Sequence, residues 1–179
     1  MNHADHVQLL QDGIHISDGV WADIGSGRGA FTLALADLLD TSGTIISIDM
    51  DRSVLQAQQR LLQTHFPDLA VQYHVADFTQ KLDLPPLDGV IMANALHFVQ
   101  GKGSVLRLIH SYLKDTGRLI LVEYDTDRGN RWVPYPLSYP TWERLATQHG
   151  FVCTRLMQTK PSSFLGQFYS ACSEKGLLP

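Results

Sequence analysis

Short apolar, β-branched runs alternate with longer helical patterns between residues 20 and 123, and that alternation leaves few architectures open. Residues 20–24, 44–48, 71–75, 89–92 and 119–123 read as strands. Between them, 30–39 carries Phe31, Leu35, Leu38 and Leu39 on one face at helical spacing. Asp51 caps a second helix, with Val54, Leu55, Leu61 and Leu62 as its inward stripe and Pro67 as its stop. A third helix, 104–113, presents Val105, Leu108, Ile109 and Tyr112, and Gly117 turns the chain into the fifth strand. Parallel neighbours need right-handed crossovers, so strand-then-helix alternation predicts an α/β fold: a mostly parallel sheet with helices on both faces. After a proline- and aromatic-rich loop at 131–140, a helix at 142–148 ends at Gly150. Two further strands are expected at 151–157 and 164–171. Only six residues separate them, too few for a helical crossover, so they pair antiparallel.

The 179 residues suit one domain, with residues 1–16 as an N-terminal helical cover. A 44% apolar, 18% charged composition suits a globular chain, and a net charge of −4 argues against a broad phosphate-binding footprint, so no nucleic-acid partner is expected. No apolar run approaches the roughly 20 residues of a membrane span, and the start lacks the features of a secretory signal; a cytoplasmic location is expected. Cys153 and Cys172 are expected as two buried thiols on neighbouring strands.

The strongest local feature is Asp23-Ile24-Gly25-Ser26-Gly27-Arg28-Gly29, a strand running into glycines and then a helix. Glycines allow positive φ and leave no Cβ between main chain and ligand. The spacing is G-x-G-x-G, whereas the dinucleotide fingerprint G-x-G-x-x-G carries a pyrophosphate. A carboxylate two residues before the first glycine repels a pyrophosphate and attracts an ammonium group. Asp49 ends strand two, 20 residues past Gly29, where an acid reaches ribose hydroxyls. Asp51 alone can cap the next helix, which leaves Asp49 for the ribose. Met50 suits a purine face. Asp77 and Phe78 follow strand three, as a partner for an exocyclic amine or as a plain turn.

In this order, D-x-G-x-G-x-G, an acid ending strand two, an acid–aromatic pair after strand three and a terminal antiparallel hairpin resemble the class I S-adenosylmethionine-dependent methyltransferases. The resemblance covers about residues 17–171. It implies the sheet order 3-2-1-4-5-7-6 with strand seven antiparallel, and S-adenosyl-L-methionine as cofactor. It further implies that Asp23, Gly25, Ser26, Gly27 and Gly29 hold the methionine part, that Asp49 holds the ribose with Met50, Asp77 and Phe78 around adenine, and that Asn94 closes the methionine end. The strand-four exit resembles the group acting on small molecules, so a small-molecule acceptor is expected, methylated on O, N or C; a cofactor-binding sensor without turnover is the alternative. His97 and Glu123 are the candidate catalytic residues, each balanced against a structural role. Asn94 stands where metal-assisted members place a carboxylate, so no metal is expected. The loop around Trp132 is read either as a lid or as a packed connection with Trp132 filling the core edge.

Overall fold

The computed structural model describes residues 1–14 and 16–178. Seven strands form one sheet: β1 (Val20–Ile24), β2 (Thr44–Asp49), β3 (Ala70–Val75), β4 (Leu87–Ala93), β5 (Leu113–Tyr124), β6 (Phe151–Ser162) and β7 (Gly166–Lys175). Their order is β3-β2-β1-β4-β5-β7-β6; the first five run parallel, and β7 is antiparallel to both β5 and β6. The expected topology is the observed one.

Helices cover both faces. Helix α1 (His3–Gln11), α2 (Ala30–Leu38) and Leu62 of α3 (Arg52–His65) close over Trp21, Ile45, Ile91, Ile120 and Val122. On the other face, α4 (Lys102–Tyr112) and α5 (Tyr139–Gln148) bury Leu106, Ile109, Trp142 and Ala146 against Ile46, Val90, Leu119 and Leu121. The strict alternation of β5 between the two cores is what an interior strand requires. Gly89 is fixed by packing: a Cβ there would stand 2.2 Å from the Trp21 ring. Among the described residues, no helix is long and apolar enough to cross a membrane.

Several expectations are corrected. The final hairpin is longer, with strands to Ser162 and from Gly166, so Phe164 sits in a three-residue turn instead of opening β7. The cause is that β6 is an edge strand, which tolerates polar residues and even Pro161 in its last ladder pairs. Likewise β5 begins at Leu113, directly after α4, and Gly117 lies within it. Of the two cysteines only Cys172 is buried; Cys153 is exposed at φ 50, where β6 slips register against β7. Trp132 does not fill the core edge; it is 68% exposed, and Val133, Pro136 and Leu137 are buried in its place.

Candidate active site

The carboxyl ends of β1, β2 and β4 open into a cavity of about 530 Å³, within the roughly 300–1,000 Å³ typical of small-molecule sites. Its floor is Gly25 and Gly27, one wall is Asp49 and Met50, and another is 76–79; Asn94, Ala95, Phe98 and Val99 close the far side.

The glycine loop is clamped before any ligand arrives. The amides of Gly25 and Ser26 both donate to the Ile48 carbonyl, at 2.8 and 3.0 Å. The Gly27 amide donates to Asp49 Oδ2 at 2.8 Å, a charge-assisted bond that ties the loop to the end of β2. The three glycines do different jobs. All have positive φ. At Gly27 an added Cβ meets nothing within 4 Å, so this residue faces the open cavity. At Gly25 it would meet Ala95 Cβ at 2.6 Å, and at Gly29, the N-cap of α2, it would meet Gln58 Cγ at 2.4 Å.

Asp49 Oδ1 accepts the Asp51 amide at 2.9 Å, so each carboxylate oxygen has one backbone partner and keeps a lone pair for the cavity. Asp51 caps α3 through the Ser53 amide, 2.8 Å away. Asp77 Oδ1 receives both the amide and the hydroxyl of Thr79, so this acid holds its own turn while lining the cavity. Met50 is 72% exposed on the rim. Asn94 adopts φ 53, and its Oδ1 is buried with no hydrogen-bond partner among the described residues. The left-handed backbone sets this asparagine on the cavity wall, and its buried amide oxygen is left without a donor among the described residues.

The structure does not put every expected residue on the wall. Asp23 lies beneath the loop, buried, with Oδ2 accepting the Thr32 hydroxyl at 2.5 Å. Burial pushes its carboxyl up to about 7; the Thr32 bond works the other way, and Asp49 adds to the rise. Ser26 turns its hydroxyl away from the cavity to accept Ser47 Oγ at 2.8 Å and Gln58 Nε2 at 3.3 Å. Gln58, not singled out from the sequence, also donates to the Gly27 carbonyl at 3.3 Å. The available clue was its place on the buried stripe Leu55, Gln58, Leu62, where a polar residue needs a partner. Helix α1, expected as a cover, packs on α2 and β6 through the His6–Phe31 ring contact and Lys160–Asp5.

His97 and Glu123 come together. The turn Leu96–Phe98 sets the His97 ring beside Phe98, and there Nδ1 is 2.7 Å from Glu123 Oε2 and the main-chain amide donates to Oε1 at 3.1 Å. Both side chains are buried, Glu123 completely. The carboxyl edge past β5 is otherwise committed to structure: Asp125 accepts the Tyr139 amide, and Asp127 accepts the Ser138 amide and hydroxyl.

Comparison with known proteins gives one family. The model described as "Methyltransferase domain" matches residues 17–164. An arsenite methyltransferase of Aquipseudomonas alcaligenes is 28% identical over 174 residues, covering 86% of this chain and 49% of that protein. A "probable protein-L-isoaspartate O-methyltransferase" of Dictyostelium discoideum is 30% identical over 124 residues, covering 66% and 37%. The chain thus spans half or less of the length of the curated relatives it matches. Among solved structures, an S-adenosylmethionine-dependent methyltransferase from Aquifex aeolicus superposes with a TM-score of 0.72 at 16% identity, covering 94% of this chain and 89% of that one. By its matched residues and its sheet order, the chain belongs to the class I S-adenosylmethionine-dependent methyltransferase family.

Proposed function

We propose that this chain transfers a methyl group from S-adenosylmethionine to a small-molecule acceptor, with the cavity between β1, β2 and β4 as the cofactor site. The observation that carries the reading is that one cavity is walled by Asp49 with spare lone pairs, by the Cβ-free Gly27 and by Asn94, whose buried amide oxygen has no partner among the described residues. A ligand with hydroxyl and ammonium donors answers the two side-chain acceptors, and Gly27 lets it lie against the main chain. When bound, the cofactor supplies a methyl carbon on a cationic sulfur.

The chain's own residues then align and exclude water. Asp49 accepts the ribose hydroxyls, and Asn94 Oδ1 accepts from the ammonium end. Met50, Asp77 and Phe78 flank the base. Gly25, Ser26 and Gly29 shape the loop, and Asp23 acts from beneath it as a buried carboxyl that favours a cation above. Where the acceptor arrives protonated, His97 takes its proton, and Glu123 holds the imidazole at Nδ1 and stabilises it once charged.

A small acceptor made of carbon, nitrogen and oxygen fits better than arsenite. As(III) is a soft ion best held by thiolates, and neither Cys153 on the edge strand nor buried Cys172 lines the cavity. The residues matched to the family form the bare fold, with no inserted unit to grip a macromolecule.

Calorimetry with S-adenosylmethionine and S-adenosylhomocysteine tests the cofactor reading, and micromolar binding of both is expected. Neither binding to folded protein ends it. The near-complete burial of His97 favours one second reading, a cofactor-binding sensor without turnover. Release of S-adenosylhomocysteine with any acceptor, reduced in His97→Ala while cofactor binding persists, excludes that reading.

A further inference from the structure

The rings beside the cavity form an unbroken run. Phe98, on the cavity wall, meets His97 at a tilt with centroids 4.3 Å apart; His97 lies 6.3 Å from Tyr124, Tyr124 is 5.9 Å from Phe164, and Phe164 is 6.1 Å from Trp132. Phe98 is 60% exposed, Phe164 48% and Trp132 68%. Three large aromatic side chains are thus held in solvent on one edge.

They are not exposed by looseness. Trp132 stands on a loop whose Asn130 Oδ1 accepts the Trp132 and Val133 amides, both at 2.9 Å, while the Asn130 amide donates to the Val133 carbonyl. The Tyr135 amide donates to the His97 carbonyl at 2.9 Å, and Lys102 Nζ donates to the Tyr135 and Val99 carbonyls at 2.7 and 2.8 Å. Lys102 therefore pins the ring-bearing loop to the turn that carries Phe98. Phe164 is held on the tight turn of the β6–β7 hairpin. A stiff scaffold that holds aromatic rings in water, joined through Phe98 to a ligand cavity, is a platform for an aromatic ligand.

We propose that this run is the acceptor subsite and that it takes a planar aromatic small molecule lying between Phe98 and the Phe164–Trp132 pair; the assignment of the bound molecule as acceptor rests on the methyltransferase reading above. His97, second in the run beside Phe98 and joined to Glu123, is then the proton-accepting group nearest the ring.

The test uses ligand-observed saturation-transfer NMR on the full chain, with 1-naphthol as probe and decahydro-1-naphthol, its saturated counterpart, as control. Expected are 1-naphthol binding at least fivefold tighter than the control, and at least fivefold weakening in Trp132→Ala and in Phe164→Ala. S-adenosylhomocysteine affinity, read separately by calorimetry, should stay unchanged in both variants. Trp132→Phe should keep 1-naphthol binding, which separates ring loss from unfolding. Equal binding of the two probes, no binding of 1-naphthol, or full binding by the Trp132→Ala, Phe164→Ala double variant overturns the platform. So does a concentration-dependent dimer in sedimentation that Trp132→Ala abolishes, since a second copy would then be the occupant. Loss of S-adenosylhomocysteine binding alone, with 1-naphthol still held, overturns the methyltransferase reading and leaves the platform standing.

Discussion

Glu123 holds His97 by two bonds at once, Oε2 to the ring Nδ1 at 2.7 Å and Oε1 to the main-chain amide at 3.1 Å. The carboxylate therefore fixes both the imidazole plane and the turn that carries it. Glu123→Gln keeps the shape and removes the charge. Turnover with any protonated acceptor should fall about 10–100-fold, with S-adenosylhomocysteine affinity within twofold of the parent. Glu123→Ala leaves two donors buried without an acceptor and should cost about 3 kcal/mol in urea unfolding. Unchanged turnover in Glu123→Gln would leave the pair a structural clamp only.

The Asp23 carboxyl gives the protein a pH signature. Its value is raised from 3.8 to about 7 in the folded chain. Between those limits the folded state keeps a proton that the unfolded chain has lost. The stability tied to Asp23 is therefore full below about pH 4, declines as pH rises toward 7, and is level above that. The limiting slope for one group is about 1.4 kcal/mol per pH unit. Asp23→Asn should flatten the stability profile from pH 5 to 7, measured by urea midpoints; an identical slope in the variant would assign the dependence elsewhere.

Two glycine substitutions should separate binding from folding. Gly29→Ala places a Cβ 2.4 Å from Gln58 at φ 83, so it should destabilise by about 2 kcal/mol or more. Gly27→Ala meets open space and carries only the left-handed penalty of about 1 kcal/mol. Its methyl enters the cavity, and S-adenosylhomocysteine binding should drop at least tenfold. Thermal melts with calorimetry on both variants check the pair.

Neighbouring acids should likewise diverge. Asp49→Ala removes both a cavity acceptor and the clamp on the Gly27 amide, and binding of S-adenosylhomocysteine should fall at least tenfold. Asp51→Ala removes a helix cap, costing about 1 kcal/mol, with binding kept. Equal binding losses would mean that Asp49 acts only through the fold of β2 and α3.

Much of this was legible in the chain because interior parallel strands announce themselves. Ile45, Ile46 and Ile48 must be apolar on both sides, and the change from period two to helical period marks each crossover. Asp49 and the glycine loop could be placed by spacing alone. Legibility fails at the edge of the sheet, where β6 has one neighbour and its residues need not be apolar, so the pattern puts Phe164 in β7 while the structure puts it in the turn. It fails again where a role depends on depth. Asp23 and Asp49 look alike in sequence, yet one is sealed under the loop against Thr32 and the other lines the cavity. Ala76, Ala95 and Val99 line the cavity with no chemical signature, and the reach of Gln58 back to the loop spans 31 residues to Gly27.

The short turn between β6 and β7 has a consequence for how such a protein can diversify. It joins two strands whose ladder is complete without it, and its only ring meets Tyr124 and Trp132 and none of the backbone clamps that shape the glycine loop. With the aromatic run receiving the acceptor as proposed, exchanging Phe164 for another side chain, or lengthening that turn, alters what the protein greets without disturbing what it is charged with. New chemical clients can be auditioned there while the inherited donor grip stays intact.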